Sequence, residues 1–145
     1  MIYRQNFGKE GENAAAAYLQ QNGYQVLHKN YRYKRAEIDI IAQKEQVLVF
    51  AEVKTRSTNR HGYPEEAVSA RKEALFLDAA ADYIEKTGWL YDIRFDILAV
   101  TPAASGFDVY HVEDAFHWPV AVVVRKSSLS FSKISLPWRS YCFIR

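Results

Sequence analysis

The chain has 145 residues, 49% of them hydrophobic and 25% charged, with a formal net charge of +2. That length suits one domain around one core, and that composition excludes a disordered or collagen-like chain. A single cysteine, Cys142, excludes a disulfide framework, a cysteine-rich zinc site and a CxxC redox motif.

Residues 8–22 predict a first helix, because four alanines and Leu19 favour it strongly. Ala15, Tyr18, Leu19 and Asn22 share one face. Gly23 follows where a left-handed cap is wanted. Residues 24–33, rich in aromatic and branched side chains, predict a strand that turns at 34–36. A second strand covers 37–43 and a polar turn 44–46. The third strand, VLVFAEVKT at 47–55, is apolar on both faces at its start. That is the pattern of a central strand covered on two sides.

Residues 56–64 carry Ser, Thr, Asn, Gly and Pro and read as a loop. A longer helix lies within 65–87. Ser69 caps its main part, and Ala70, Ala74, Leu77, Ala81 and Ile84 recur at helical spacing. Gly88 ends it. Residues 92–101 and 107–112 predict two more strands, paired through a turn at 102–106. The short turns imply an antiparallel meander of three strands, and the second helix then crosses over to bring strand four beside an earlier one. The class is α/β, with a mixed central sheet flanked by helices.

The remainder differs in charge. Residues 1–116 hold 14 basic against 17 acidic groups, a net −3, whereas 117–145 hold five basic groups and no acid. The +2 therefore averages two unlike parts and by itself says little about partners. The chain divides into a domain at 1–116 and a basic tail at 117–145, read as an extra strand at its start or a disordered extension. No apolar run opens the chain, and the longest, at 119–124, is far too short to cross a bilayer. The expectation is a cytoplasmic protein with no membrane partner.

Three charged residues stand where apolar ones are expected. Asp39 lies between Ile38 and Ile40, and Glu52 and Lys54 lie inside the third strand, on one face of it. An unpaired carboxylate in a low-dielectric sheet costs several kcal/mol. A hard cation such as Mg²⁺ or Mn²⁺, held by two carboxylates from adjacent strands, is one sufficient reason to keep them. Lys54 would then sit beside the metal and assist an attacking water. The alternative is an amphipathic hairpin whose Glu52–Lys54 pair faces solvent. Glu12, near Gly8 and Gly11, either joins the cluster or is an acid favoured by the helix dipole. Asp96 reads as structural, paired with Arg94 or a neighbour, and His61 as a loop residue.

The spacing Asp39…Glu52-Val53-Lys54 resembles the PD-(D/E)xK nuclease motif, with Ile38 where a proline usually stands. More broadly, the chain resembles the YraN-like family of small bacterial proteins with a restriction-endonuclease-like fold related to Holliday junction resolvases. The resemblance runs from about Phe7 to Phe116. It includes Gly8-x-x-Gly11-Glu12 with Ala15, Gly23-Tyr24, Asn30-x-Arg32, Glu37-Ile38-Asp39 and residues 49–56. It continues with Gly62-x-Pro64, Ala67-Val68, Lys72, Arg94-Phe95-Asp96 and Ala115-Phe116. It implies that Asp39, Glu52 and Lys54 occupy the nuclease positions and that Glu12 reaches the metal. Ala36 replaces the family's usual glycine and Ala51 its usual valine, and the tail lies outside the pattern.

Arg56 continues the face of Lys54 and suits bidentate phosphate contact. The resemblance favours Arg56 and Lys72 as nucleic-acid contacts; Arg32, beside the second strand, is a third candidate, while neighbouring Lys34 and Arg35 read as solvated charges. No aromatic array for single-strand stacking is visible. The expected function is a Mg²⁺- or Mn²⁺-dependent DNA endonuclease acting at branched or distorted DNA. The alternative is a non-catalytic nucleic-acid-binding or assembly module retaining the fold, and a homodimer is a further option.

Overall fold

The structure, a computed structural model, describes residues 2–57 and 69–116. His61, Gly62, Pro64, Ala67, Val68 and the tail at 117–145 lie outside the described residues. Among the described residues the order is α1 (Ile2–Gln21), β1 (Gln25–Tyr33), β2 (Ala36–Lys44), β3 (Val47–Thr55), α2 (Ala70–Thr87), β4 (Asp92–Pro102) and β5 (Phe107–Val112). This is the α-β-β-β-α-β-β order expected from sequence. Helix α1 begins well before residue 8. No glycine or proline precedes Gly8 to stop it, and helices extend wherever no breaker intervenes.

The five strands form one sheet in sequential order. β1–β2, β2–β3 and β4–β5 pair antiparallel, while β3 and β4 run parallel across the α2 crossover. The sheet separates two apolar layers. On one side Ala15, Ala16 and Leu19 of α1 cover Ile40, Ala42, Val49, Ala51, Leu98 and Val100. On the other, Phe76, Leu77, Ala79 and Ala80 of α2 cover Ile38, Ile41, Leu48, Phe50 and Phe95. Leu48, Val49, Phe50 and Ala51 are all fully buried, as the two-faced apolar start of β3 requires.

Helix α2 carries its caps where the sequence places them. The Lys72 N–H donates to Ser69 Oγ at 3.3 Å, and Gly88 takes φ 65° with its N–H on the Ile84 carbonyl. Its buried residues are Phe76, Leu77, Ala79 and Ala80, so Leu77 of the expected face is buried and Ile84 packs beside it, whereas Ala70 and Ala74 are exposed. The large Phe76 decides the facing, because an aromatic buries far more area than an alanine.

Of the two glycines in α1, only Gly11 serves close approach. A Cβ added at Gly11 would lie 2.7 Å from Cγ2 and 3.0 Å from Cβ of Thr55, and would also collide with Oγ1. Gly8 faces open space. The contact presses the middle of α1 onto the end of β3.

On the α1 side the buried Asp96 gathers a polar network. Arg94 donates to Asp96 from Nε and Nη2, each at 2.8 Å, and His111 Nε2 lies 2.7 Å from Oδ2. The Asp114 N–H donates to Oδ1 at 3.0 Å, and Arg94 also donates to the Tyr24 hydroxyl at 2.7 Å. The pair is structural, as the sequence reading has it: it ties β4 to β5 and holds the following turn. Phe116 then stacks on Phe95 at 5.3 Å. Burial pushes the Asp96 carboxyl up, but the hydrogen bonds from His111, Arg94 and Asp114 outweigh it and hold it below the ordinary value.

Two outcomes follow for stability. Gly11→Ala lowers the melting temperature despite the better helix propensity of alanine, because rotating Thr55 leaves its own Cβ in the way. A variant at least as stable as wild type would refute the contact. Asp96→Ala leaves Arg94 partly buried without its main partner, and urea unfolding registers a loss of about 3–5 kcal/mol.

Candidate active site

The ladder between β2 and β3 ends at the Ile40–Ala51 pair. One residue further on, Asp39 replaces the missing backbone acceptor: its Oδ2 takes the Val53 N–H at 2.7 Å. The side-chain alternation of β2 also breaks here. Ile38 packs in the α2 layer and Ile40, two residues on, in the α1 layer. On β1, Asn30 lies opposite this break with a left-handed φ of 54°. Asn tolerates that conformation better than most side chains.

Glu52 and Lys54 share the α2 face of β3, since Val49, Ala51 and Val53 occupy the other. Glu52 is only 5% exposed. Its Oε1 receives two ammonium groups, Lys54 Nζ at 3.3 Å and Lys72 Nζ in a still closer ion pair. No described residue donates to its Oε2 or to Asp39 Oδ1. Glu12, presented by the close approach at Gly11, accepts a 3.3 Å hydrogen bond from Asn30 Nδ2. Its charge reaches Asp39.

The site thus brings Asp39, Glu52, Lys54 and Lys72 together, with Glu12 at its border. The solvent-facing alternative for Glu52 and Lys54 does not apply: Lys54 is only 19% exposed and Glu52 less still. Arg56 extends the β3–β4 pairing through its N–H on the Val100 carbonyl at 2.9 Å. Arg32 lies on edge strand β1 and pairs with Glu37 at 3.4 Å, with most of its side chain in solvent. Among the described residues, no three His, Cys, Asp or Glu side chains converge into a ready-made metal cage. The ammonium groups supply the positive charge in this arrangement.

One participant was not singled out as a site residue from the sequence. Asn30 steadies Glu12, and an Asn inside a strand was the available signal. Lys72 was legible as a site residue, but not its hold on Glu52, because the partners are 20 residues apart on different elements.

Electrostatics follow from burial. Burial pushes the Asp39 carboxyl up, and the charges of Glu52 and Glu12 add to it. The Val53 N–H and Lys72 oppose, and the net result is about 7. For Lys72, burial acts downward, but the hydrogen bond and charge of Glu52, with Lys54 and Asp39, together outweigh it and raise the ammonium above its ordinary value.

The fold and site define a class: a mixed-sheet α/β domain with an acid-x-Lys strand and a second acid on the neighbouring strand. Residues 11–100 match the model of the uncharacterised protein family UPF0102. A UPF0102 protein of Flavobacterium psychrophilum is 42% identical over 117 residues, 81% of this chain and 98% of the relative. One from Parabacteroides distasonis is 44% identical over 119 residues, 82% of this chain and 98% of the relative. One from Bacteroides thetaiotaomicron is 41% identical over 120 residues, 83% of this chain and 99% of the relative. The chain belongs to the UPF0102 family, the YraN-like group to which its motifs pointed. No helix among the described residues is long and apolar enough to cross a membrane.

The Asp39 shift has a testable sign. Its folded value of about 7 exceeds the ordinary 3.8, so the native state holds the extra proton between those values. In metal-free buffer, this contribution to stability is full below pH 4 and is lost as pH rises to 7. Melting temperatures of wild type and Asp39→Asn, compared from pH 5 to 8 with chelator present, should diverge across that window. Parallel curves would refute the shift.

Proposed function

We propose that this protein is a metal-dependent nuclease that cleaves DNA phosphodiester bonds, with branched or distorted DNA as its substrate class. The observation that carries the reading is Lys54 Nζ at 3.3 Å from Glu52, beside Asp39 at the point where β2 and β3 part. The donor set fits a hard divalent cation, Mg²⁺ or Mn²⁺. It consists of carboxylate oxygens only, and Glu52 Oε2 and Asp39 Oδ1 accept from no described residue. Asp39 and Glu52 would hold the cation, with Glu12 at the border. The chemistry it supplies when bound is charge neutralisation at the phosphoryl group.

Within the chain, Lys54 does the polar work. Its ammonium is held by Glu52 and donates hydrogen bonds to the attacking water or to a phosphoryl oxygen that gains charge. Asp39 is fixed by Val53 and so presents its other oxygen in one direction. Arg56 and Arg32 are the proposed phosphate contacts, and they are needed because the 1–116 body carries a net −3.

Two observations favour the second reading, a non-catalytic nucleic-acid-binding module. Glu52 is already neutralised by two lysines, and the acids do not close into a cage among the described residues. One experiment separates the two. Wild type and Lys54→Ala are incubated with Mg²⁺ or Mn²⁺ and single-stranded, duplex, flap and four-way DNA. The nuclease reading expects cleavage by wild type, strongest on a branched substrate, and a loss of about 10²–10³-fold in Lys54→Ala. Binding without cleavage of any substrate would establish the module instead.

A further inference from the structure

We propose that Lys72 is an internal cation that holds Glu52 in the metal-free protein, and that a divalent metal binds only by displacing it. This rests on the metal-site reading above and adds how the site is regulated. The sequence reading counts Lys72 as a phosphate contact. The structure puts its ammonium on Glu52 Oε1, closer than Lys54.

Three observations carry the proposal. First, Glu52 is buried on a central strand, so its charge needs a compensating cation whenever no metal is present. Second, the compensating group comes from another element. Lys54 is fixed on β3 itself, whereas Lys72 reaches across from the first turn of α2 with its side chain 47% exposed. The more exposed partner can leave towards water at the lower cost, since its head group is readily rehydrated. Third, Lys72 stands where a cation is electrostatically misplaced. It is the third residue of a helix capped by Ser69, and the N-terminal end of a helix favours anions. Neighbouring Arg71 is also basic and exposed. A lysine there gains nothing from the helix and gains its stabilisation from Glu52.

The exchange is a competition for one carboxylate. Glu52 holds Lys54 and Lys72, the charge of Asp39 also acts on Lys72, and Glu12 acts on Asp39 from the border. A dication that binds Glu52 through its other oxygen, Oε2, repels the ammonium held on Oε1 of the same carboxylate. Once released, Lys72 stands beside the metal with its charge free to meet a DNA phosphate. Metal binding and DNA binding then favour one another, and the linkage is reciprocal.

The test uses the full chain and needs no cleavage. Mn²⁺ is titrated into wild type, Lys72→Met and Lys72→Arg without DNA, and free Mn²⁺ is read by electron paramagnetic resonance. Circular dichroism confirms that each variant is folded. The proposal expects Lys72→Met to bind Mn²⁺ about tenfold more tightly than wild type, within the usual range of coupled binding. Lys72→Arg, which keeps the competing charge, should stay near wild type. Binding by Lys72→Met alone supports the proposal equally. Equal affinity in all three proteins overturns it and leaves the metal site standing, as does weaker binding by Lys72→Met. No binding by any of them overturns it together with the metal reading beneath it.

Discussion

Between β2 and β3, the backbone ladder stops at Ile40 and Ala51, and a side chain takes over. The Asp39 carboxylate accepts the Val53 N–H that a strand carbonyl would otherwise accept. A buried N–H left without an acceptor is costly, so the strands can part there only because the substitute is present. The parting opens the sheet beside Glu52 and Lys54. It also lets Ile38 and Ile40 pack on opposite sides of the sheet, so each layer keeps its core across the break. The close packing of Gly11 on Thr55 then brings Glu12 to the border of the same opening.

The sheet carries two buried carboxylates, and the structure treats them in opposite ways. Asp96, on the α1 side, is surrounded by donors: Arg94 twice, His111 and the Asp114 N–H. Its charge is satisfied on both oxygens, and the network's consequence is mechanical, tying β4, β5 and the next turn together. Glu52, on the α2 side, takes two lysines on one oxygen and leaves the other without a described donor. Near it, Asp39 keeps one oxygen in the same condition and is held protonated up to about pH 7. Fully satisfied polar networks rigidify a core, whereas partly satisfied ones have capacity left to bind something. The contrast within one sheet separates a structural acid from a candidate chemical one.

Much of this was legible because strand and helix periods are local properties. Alternation in VLVFAEVKT places Glu52 and Lys54 on one face, and the same rule identifies β3 as central. Ser69 and Gly88 mark the ends of α2 through the backbone geometries they favour. Local rules failed where size competed with periodicity. The spacing through Ala70, Ala74 and Leu77 suggests a buried stripe in α2; Leu77 is buried, but Phe76 turns the helix so that Ala70 and Ala74 are exposed. They failed also at Gly8 and Gly11, which look alike in sequence and differ only in what lies opposite.

The sequence by itself determined the element order, the family and the acids and bases proposed for the site. All of these depend on residue type and short spacings. Which oxygen meets which cation was decided only by the tertiary structure. Lys72 and Glu52 are 20 residues apart, and Asn30 and Glu12 are 18 apart. These pairs meet because the crossover of α2 and the docking of α1 bring them together, and the free energy that docks those helices comes from apolar burial elsewhere in the two layers. Charge compensation at Glu52 is therefore a consequence of packing, and no local pattern in the chain encodes it.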